Sequence, residues 1–181
     1  MSLEMIVRLA RPTDLPRLPE IEVSAATLFR DQGVEVFAGE APETPIDFTP
    51  AKVWAPIVDE GLLWVMAMPD GPPGAFVAAR IEEGRLHILE LDVHREHQGQ
   101  GLGRRLLTFV VAEARRRGLA GLSLTTFRDV PWNAPFYASV GFAIVEGEDA
   151  RGALQTYLDR EASRGLDPAR RCAMVLPFQP T

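Results

Sequence analysis

The stretch "ELDVHREHQGQGLGRRLL", Glu90 to Leu107, decides how this chain is read. It opens as an alternating strand, passes through Gly99, Gly101 and Gly103, and continues as a helix that starts on Arg104 and Arg105. A strand, a glycine turn and a helix N-terminus in that order make a phosphate cradle, because backbone N–H groups and the positive helix end converge on one point. Spacing then separates the phosphate binders. A Walker A loop needs a lysine and a Ser or Thr after its glycines, and neither is present. A dinucleotide loop needs G-x-G-x-x-G directly after its strand. Here the glycines run G-x-G-x-G, five residues intervene between Val93 and Gly99, and no strand ending in an acid follows about 20 residues on.

The flanks agree with a cradle. Downstream, Leu102, Leu106, Val110 and Ala114 share one helical face, and Gly118 is placed to end the helix. Upstream, "LLWVMAM", the turn "PDGPPG" and "AFVAARIEEGRLHILELDV" read as a meander of three strands. In "HILELDV", His87, Leu89, Leu91 and Val93 face one way, and Ile88, Glu90 and Asp92 the other. Farther out, residues 5–10 form a strand. "RPTDLPRLPEIEVSAATLFR" reads as a helix-turn-helix pair with Thr13 or Asp14 as N-cap, residues 33–50 as an irregular loop, and "WAPIVDEG" as a short helix capped by Gly61. After the central helix come the strand "GLSLTTF", a short helix in "WNAPFYASVGF" ending at Gly141, the strand "FAIVE", the helix "ARGALQTYLDREASRG" and the closing strand "RCAMVLPF". That order is a mixed α+β arrangement, in which strands and helices do not simply alternate.

The chain has 181 residues, 46% of them apolar and 24% charged, with a net charge of −6. One domain over residues 5–178 is expected, and the opening "MSL" carries no structural weight. No apolar run approaches the ~20 residues that cross a bilayer, so no membrane partner is expected. The N-terminus lacks the apolar core and the small-residue cleavage site of a signal peptide. Cys172 is the single cysteine, so no intrachain disulfide forms and a cytoplasmic location is expected. The acidic total argues against nucleic acid as a partner. The charge is uneven, however: residues 1–90 carry 7 basic and 15 acidic side chains, residues 91–181 carry 12 and 10. Between Arg95 and Arg117 six arginines face two glutamates. Arg115, Arg116 and Arg117 read as a solvated helix face, whereas Arg104 stands where phosphate would bind.

The run Gln98-Gly99-Gln100-Gly101-Leu102-Gly103, between a strand and a long helix, resembles the [R/Q]-x-x-G-x-[G/A] acyl-CoA loop of the GNAT N-acetyltransferase superfamily. A later segment, "NAPFYASVGF" from Asn133 to Phe142, resembles that family's N…Y-x-x-x-G-F segment, shortened between Asn133 and Tyr137. The resemblance covers residues 62–145, and residues 5–30 more loosely. It implies a mixed, mostly antiparallel sheet of about six to seven strands with helices on both faces and a V-shaped splay between the two central strands. It also implies acetyl-CoA as co-substrate, no metal, and a small-molecule or peptide amine as acceptor. A homodimer is left open. A non-catalytic acyl-CoA-binding or sensing domain of the same fold is the competing class.

Residue roles follow from the resemblance. Gln98, Gly99, Gln100, Gly101, Leu102, Gly103 and Arg104 would hold the diphosphate. Leu91, Asp92 and Val93 would pair their backbone with the pantetheine arm, and as strand residues they also belong to the core. Tyr137 would be the general acid for the departing thiolate; alternatively it packs the short helix. Asn133 would bond the cofactor arm or cap that helix. Glu90, costly to bury without a partner, is a base or substrate contact, a structural pair or a surface group. Phe29, Arg30 and Tyr157 are candidates for the acceptor side. His94 and His97 lack a third ligand in register and read as loop residues, and Cys172 as core.

Overall fold

The computed structural model describes residues 4–179; the opening "MSL" lies outside them. The chain contains a seven-stranded sheet in the order β1-β2-β3-β4-β5-β7-β6. Its strands are β1 (Ile6–Leu9), β2 (Leu63–Ala67), β3 (Pro73–Glu82), β4 (Arg85–Val93), β5 (Gly121–Phe127), β6 (Ala143–Val145) and β7 (Arg171–Pro177). The helices are α1 (Leu18–Asp31), α2 (Ala51–Asp59), α3 (Leu102–Arg116), α4 (Ala134–Ala138) and α5 (Ala153–Ser163). The sheet is mixed: β1–β2, β2–β3, β5–β7 and β6–β7 pair antiparallel, and β4–β5 pair parallel. The parallel ladder joins Leu86, His87 and Ile88 to Leu122, Ser123 and Leu124, after which β4 goes on to Val93.

Two compact units divide the chain. Among the described residues, the first comprises 4–32, Glu43–Arg80 and Leu89–Val110. Its centre is β2, "LWVMA", buried along its whole length as a strand covered on both faces must be. Trp54 stands edge-on to Phe76 and Trp64 edge-on to Phe109. The predicted stripe of α3 is buried at Leu102, Leu106, Val110 and Ala114. The start of α1 differs from the sequence expectation. Residues Pro12–Arg17 form a 3-10 turn whose N-cap is Arg11. Asp14 sits at its third position and accepts the Arg11 N–H at 2.8 Å and the Arg8 guanidinium at 2.7 and 3.0 Å. Neither Thr13 nor Asp14 is therefore the N-cap. The prolines tighten the turn, and Asp14 is drawn inward by the arginine of the neighbouring strand.

Among the described residues, the second unit comprises Gly33–Pro42, Ile81–Ile88 and 111–179. Ala150, Leu154, Ala173 and Val175 form a buried cluster that seats α5 against β7. The hairpin turn between β3 and β4 helps to fix α5. Glu83 adopts φ 49°, rare for a residue with a side chain. Its carboxylate accepts the backbone N–H of Ala153 at 3.0 Å, at the positive end of α5. Glu83→Ala removes this contact and keeps the unfavourable φ, so a fall in Tm of about 2–4 °C is expected in a thermal melt.

Candidate active site

The glycine loop is held by side chains of the first unit. β4 ends at Val93, a short 3-10 turn spans Arg95–His97, and α3 begins at Leu102. Gly99 and Gly101 adopt φ +73° and +77°, which side-chain-bearing residues rarely take. Chain neighbours apart, no atom of the described residues lies within 4 Å of where a Cβ would project at either glycine, so the space beside the backbone is open. Gln98 braces the loop from inside: its Nε2 donates to the Val93 carbonyl at 2.9 Å, and its Oε1 accepts from Arg95 at 2.8 Å. Arg95 in turn donates its backbone N–H to Ser24 Oγ at 3.0 Å and its guanidinium to Asp31 at 2.9 Å. Both partners lie on α1. Gln100 donates to the Glu96 carbonyl at 3.1 Å.

The first α-helical bond of α3 runs from the Arg105 N–H to the Gly101 carbonyl, at 3.0 Å. The N–H groups just before it point out of the helix start without an intrahelical acceptor. Arg104 and Arg105 add positive charge there; Arg105 also donates to the Met5 carbonyl at 2.9 Å. The His94 N–H donates to the Gly74 carbonyl, and the His97 ring lies so close that a Cβ on Gly74 would sit 2.5 Å from it. Both histidines therefore act in seating the loop. Among the described residues no group of three or more His, Cys, Asp or Glu is arranged to hold a metal ion.

The second feature of this unit is a set of carboxylates. Glu90 and Asp92, two apart on one face of β4, share a hydrogen bond, and Glu22 of α1 acts on the same spot. Burial, then the charges of Glu90 and Glu22, then the hydrogen bond to Glu90 push the Asp92 carboxyl well above the usual carboxylate range. Asp92 Oδ2 is buried and has no hydrogen-bond partner among the described residues. Glu22 is fixed by donors: the Thr49 N–H reaches both its oxygens at 3.0 Å and the Thr49 hydroxyl lies at 3.1 Å. The sequence reading missed this set. It took Asp92 only as a backbone contact and did not single out Glu22, although the Glu-x-Asp pair on one face of β4 was a visible signal. Phe29 is half-buried on α1, and Arg30 is exposed with its guanidinium on the Thr44 carbonyl.

In the second unit Tyr137 lies on α4, 8% exposed, with its ring edge-on to Phe136 and Phe142. Asn133 occupies the N-cap position of α4 but makes no side-chain cap bond. Its Nδ2 reaches only the Trp132 carbonyl at 3.4 Å, and its Oδ1 is buried without a hydrogen-bond partner among the described residues. Of the two readings of Asn133, the side-chain cap is thus not formed. Tyr157 stacks on His87 with centroids 4.0 Å apart and donates its hydroxyl to Glu82 at 3.1 Å. His87 Nδ1 and Ser123 Oγ are 3.0 Å apart, both buried. Cys172 is buried, and burial pushes its thiol up, away from the reactive thiolate.

The fold has counterparts among solved structures. The ribosomal-protein-S18-alanine N-acetyltransferase of Escherichia coli superposes with a TM-score of 0.67 at 21% identity, over 98% of this chain and 96% of that one. A GNAT family acetyltransferase from Brucella melitensis, solved with acetyl-CoA, gives 0.58 at 18% identity over 98% and 90%. N-acetylglutamate synthase from Neisseria gonorrhoeae, solved with coenzyme A and N-acetyl-glutamate, gives 0.66 at 16% identity, over 97% of this chain and 35% of that one. At such identities the likeness is one of fold. The family profile described as acetyltransferase (GNAT) family matches residues 27–142, which takes in the glycine loop, the β4 carboxylates and Tyr137. The chain belongs to the GNAT acetyltransferase family.

Proposed function

We propose that this protein moves the acetyl group of acetyl-CoA to a primary amine by direct attack, with no covalent enzyme intermediate. The observation that carries the reading is the loop Gln98–Gly101. Its side chains are turned to bracing contacts, its two glycines are in the left-handed region, and open space lies beside both. A diphosphate fits against such a backbone, with Leu102, Gly103 and Arg104 supplying the helix start and positive charge. Leu91, Asp92 and Val93 would offer backbone groups to the pantetheine arm, and Asn133 its side-chain amide, whose oxygen has no hydrogen-bond partner among the described residues.

The chemistry asked of the protein is two proton transfers. The acceptor arrives as an ammonium ion, and Glu90 takes its proton directly or through one water. The freed nitrogen forms a bond to the thioester carbonyl carbon as the carbon–sulfur bond breaks, and the nitrogen, cationic once bonded, loses its second proton to water. The Tyr137 hydroxyl gives its proton to the departing thiolate and regains one from solvent. Phe29 is proposed on the acceptor side. Arg30 and Tyr157 would shape that side, since their polar ends already hold Thr44 and Glu82.

A thiol-release assay with acetyl-CoA and a panel of small amines and peptides tests the reaction. Tyr137→Phe is expected to lower turnover about tenfold or more, while the affinity for CoA stays within about twofold by calorimetry. Unchanged turnover in that variant would remove Tyr137 from the mechanism. Tight acetyl-CoA binding with no turnover on any amine would favour a non-catalytic sensing domain.

A further inference from the structure

We infer that Arg95, which precedes the Gln98-to-Gly103 run, is a positioning residue: its guanidinium clips the glycine loop to α1 and so holds the loop backbone in the shape that takes the CoA diphosphate. The inference rests on the diphosphate reading of the loop above and adds to it a residue that the motif does not contain.

Three observations carry it. First, the loop has little shape of its own. Gly99 and Gly101 stand at φ +73° and +77°, and glycine gives up more conformational freedom on ordering than any other residue. Backbone that is not fixed beforehand must be fixed when the ligand binds, which weakens affinity about tenfold for each residue ordered. Second, the bonds that fix the loop run through Arg95. Its backbone N–H donates to Ser24 Oγ at 3.0 Å, one terminal guanidinium nitrogen donates to Gln98 Oε1 at 2.8 Å, and the other donates to Asp31 Oδ2 at 2.9 Å. Gln98 passes the connection on, with its Nε2 on the Val93 carbonyl at 2.9 Å. Ser24 and Asp31 stand two turns apart on one face of α1. The end of β4 and the residue before Gly99 are thus tied to a rigid helix.

Third, the charge of Arg95 is matched where it stands. The Asp31 carboxylate lies against the guanidinium, so the two together bring no net charge to a diphosphate. What residue 95 supplies is geometry: a planar fork that reaches two acceptors at once, Gln98 on the loop and Asp31 on the helix. The ammonium of a lysine carries the same charge and does not reproduce that fork.

The test measures CoA affinity by calorimetry and, separately, the use of acetyl-CoA against acetylpantetheine, the same thioester without the diphosphate. Arg95→Met and Arg95→Lys are both expected to raise the Kd of CoA about tenfold, the scale of ordering one loop residue. Asp31→Asn is the sharper probe, because the side chain is exposed and its loss costs little stability. Removing an anion from the neighbourhood would by charge alone tighten the binding of an anionic ligand. Releasing the guanidinium is expected instead to weaken CoA about threefold, the scale of an exposed ion pair. Arg95→Met is also expected to cut the preference for acetyl-CoA over acetylpantetheine in kcat/KM about tenfold, whatever it does to the absolute rates. A general loss of structure would lower both substrates and leave that ratio in place. A natural Kd in Arg95→Lys, tighter CoA binding in Asp31→Asn, or an unmoved preference in Arg95→Met would each overturn the inference and leave the loop assignment standing. No binding of CoA by the natural protein would instead remove the diphosphate reading, and this inference with it.

Discussion

Gly101→Glu is expected to abolish acetyl-CoA binding, with Kd rising at least about 100-fold by calorimetry, the scale of a like charge placed against the ligand. The two effects of the substitution add. At φ +77° a side chain costs roughly 1–2 kcal/mol of backbone strain, and the loop relieves it only by changing shape. The new carboxylate also stands at the start of α3, where the exposed N–H groups favour an anion, and competes for the place of the diphosphate. Chain neighbours apart, no atom of the described residues lies within 4 Å of the projected Cβ, so the substitution has room and the protein is expected to fold. Gly101→Ala separates the two effects: it carries the strain without the charge, and about a tenfold loss is expected from it. Retained affinity in Gly101→Glu would sink the assignment of this loop to the diphosphate.

Asp14→Ala is expected to be the most damaging change away from the reaction. The carboxylate joins β1 to the following turn through Arg8 and the Arg11 N–H, with side-chain exposures of 14% for Arg8 and 7% for Asp14. Removing it leaves the guanidinium largely buried without its counterion, which costs about 3 kcal/mol. For a chain of this length that is a fall in Tm of roughly 6–12 °C. Burial by itself would raise the Asp14 carboxyl, but the Arg8 hydrogen bond, the Arg11 N–H and the charges of Arg8 and Arg11 outweigh it and hold the group below its ordinary value. The stabilisation is therefore complete above the unfolded value near pH 4 and is lost as pH falls through the lower folded value. The stability gap between the natural protein and Asp14→Asn, measured by urea titration, should be constant from about pH 5 to 7 and narrow below about pH 4. A gap that widens on acidification would contradict this account.

What the sequence revealed was mostly local. The α3 stripe, the hairpin meander and the glycine spacing repeat on the scale of a few residues, and each is present at the expected place. What it concealed is where each polar side chain finds its partner, near or far along the chain. Gln98 looks like a ligand contact in the motif, yet its side chain is spent on Val93 and Arg95. Glu22 looks like an ordinary helix acid until Thr49, twenty-seven residues later, fixes it. Asp92 could be read as one more strand residue because its raised carboxyl comes first from burial, and then from Glu90 two residues away and from Glu22 on α1. The N-cap before α1 was misplaced for the same reason: Arg8, on a separate element, determines where Asp14 points.

The place of β7 has a consequence for how the protein is made. β6 pairs with β7, and β7 pairs with β5, so the strand that comes later in sequence lies between two earlier ones. During synthesis β6 leaves the ribosome with no ladder to join. It acquires a neighbour only when Arg171–Pro177 emerges and closes against both Gly121–Phe127 and Ala143–Val145. Until then the β5 edge stands uncovered, a surface on which another nascent chain can dock. Translation that stalls before residue 171 would therefore yield a chain lacking both ladders, prone to aggregate and a ready client for a holding chaperone.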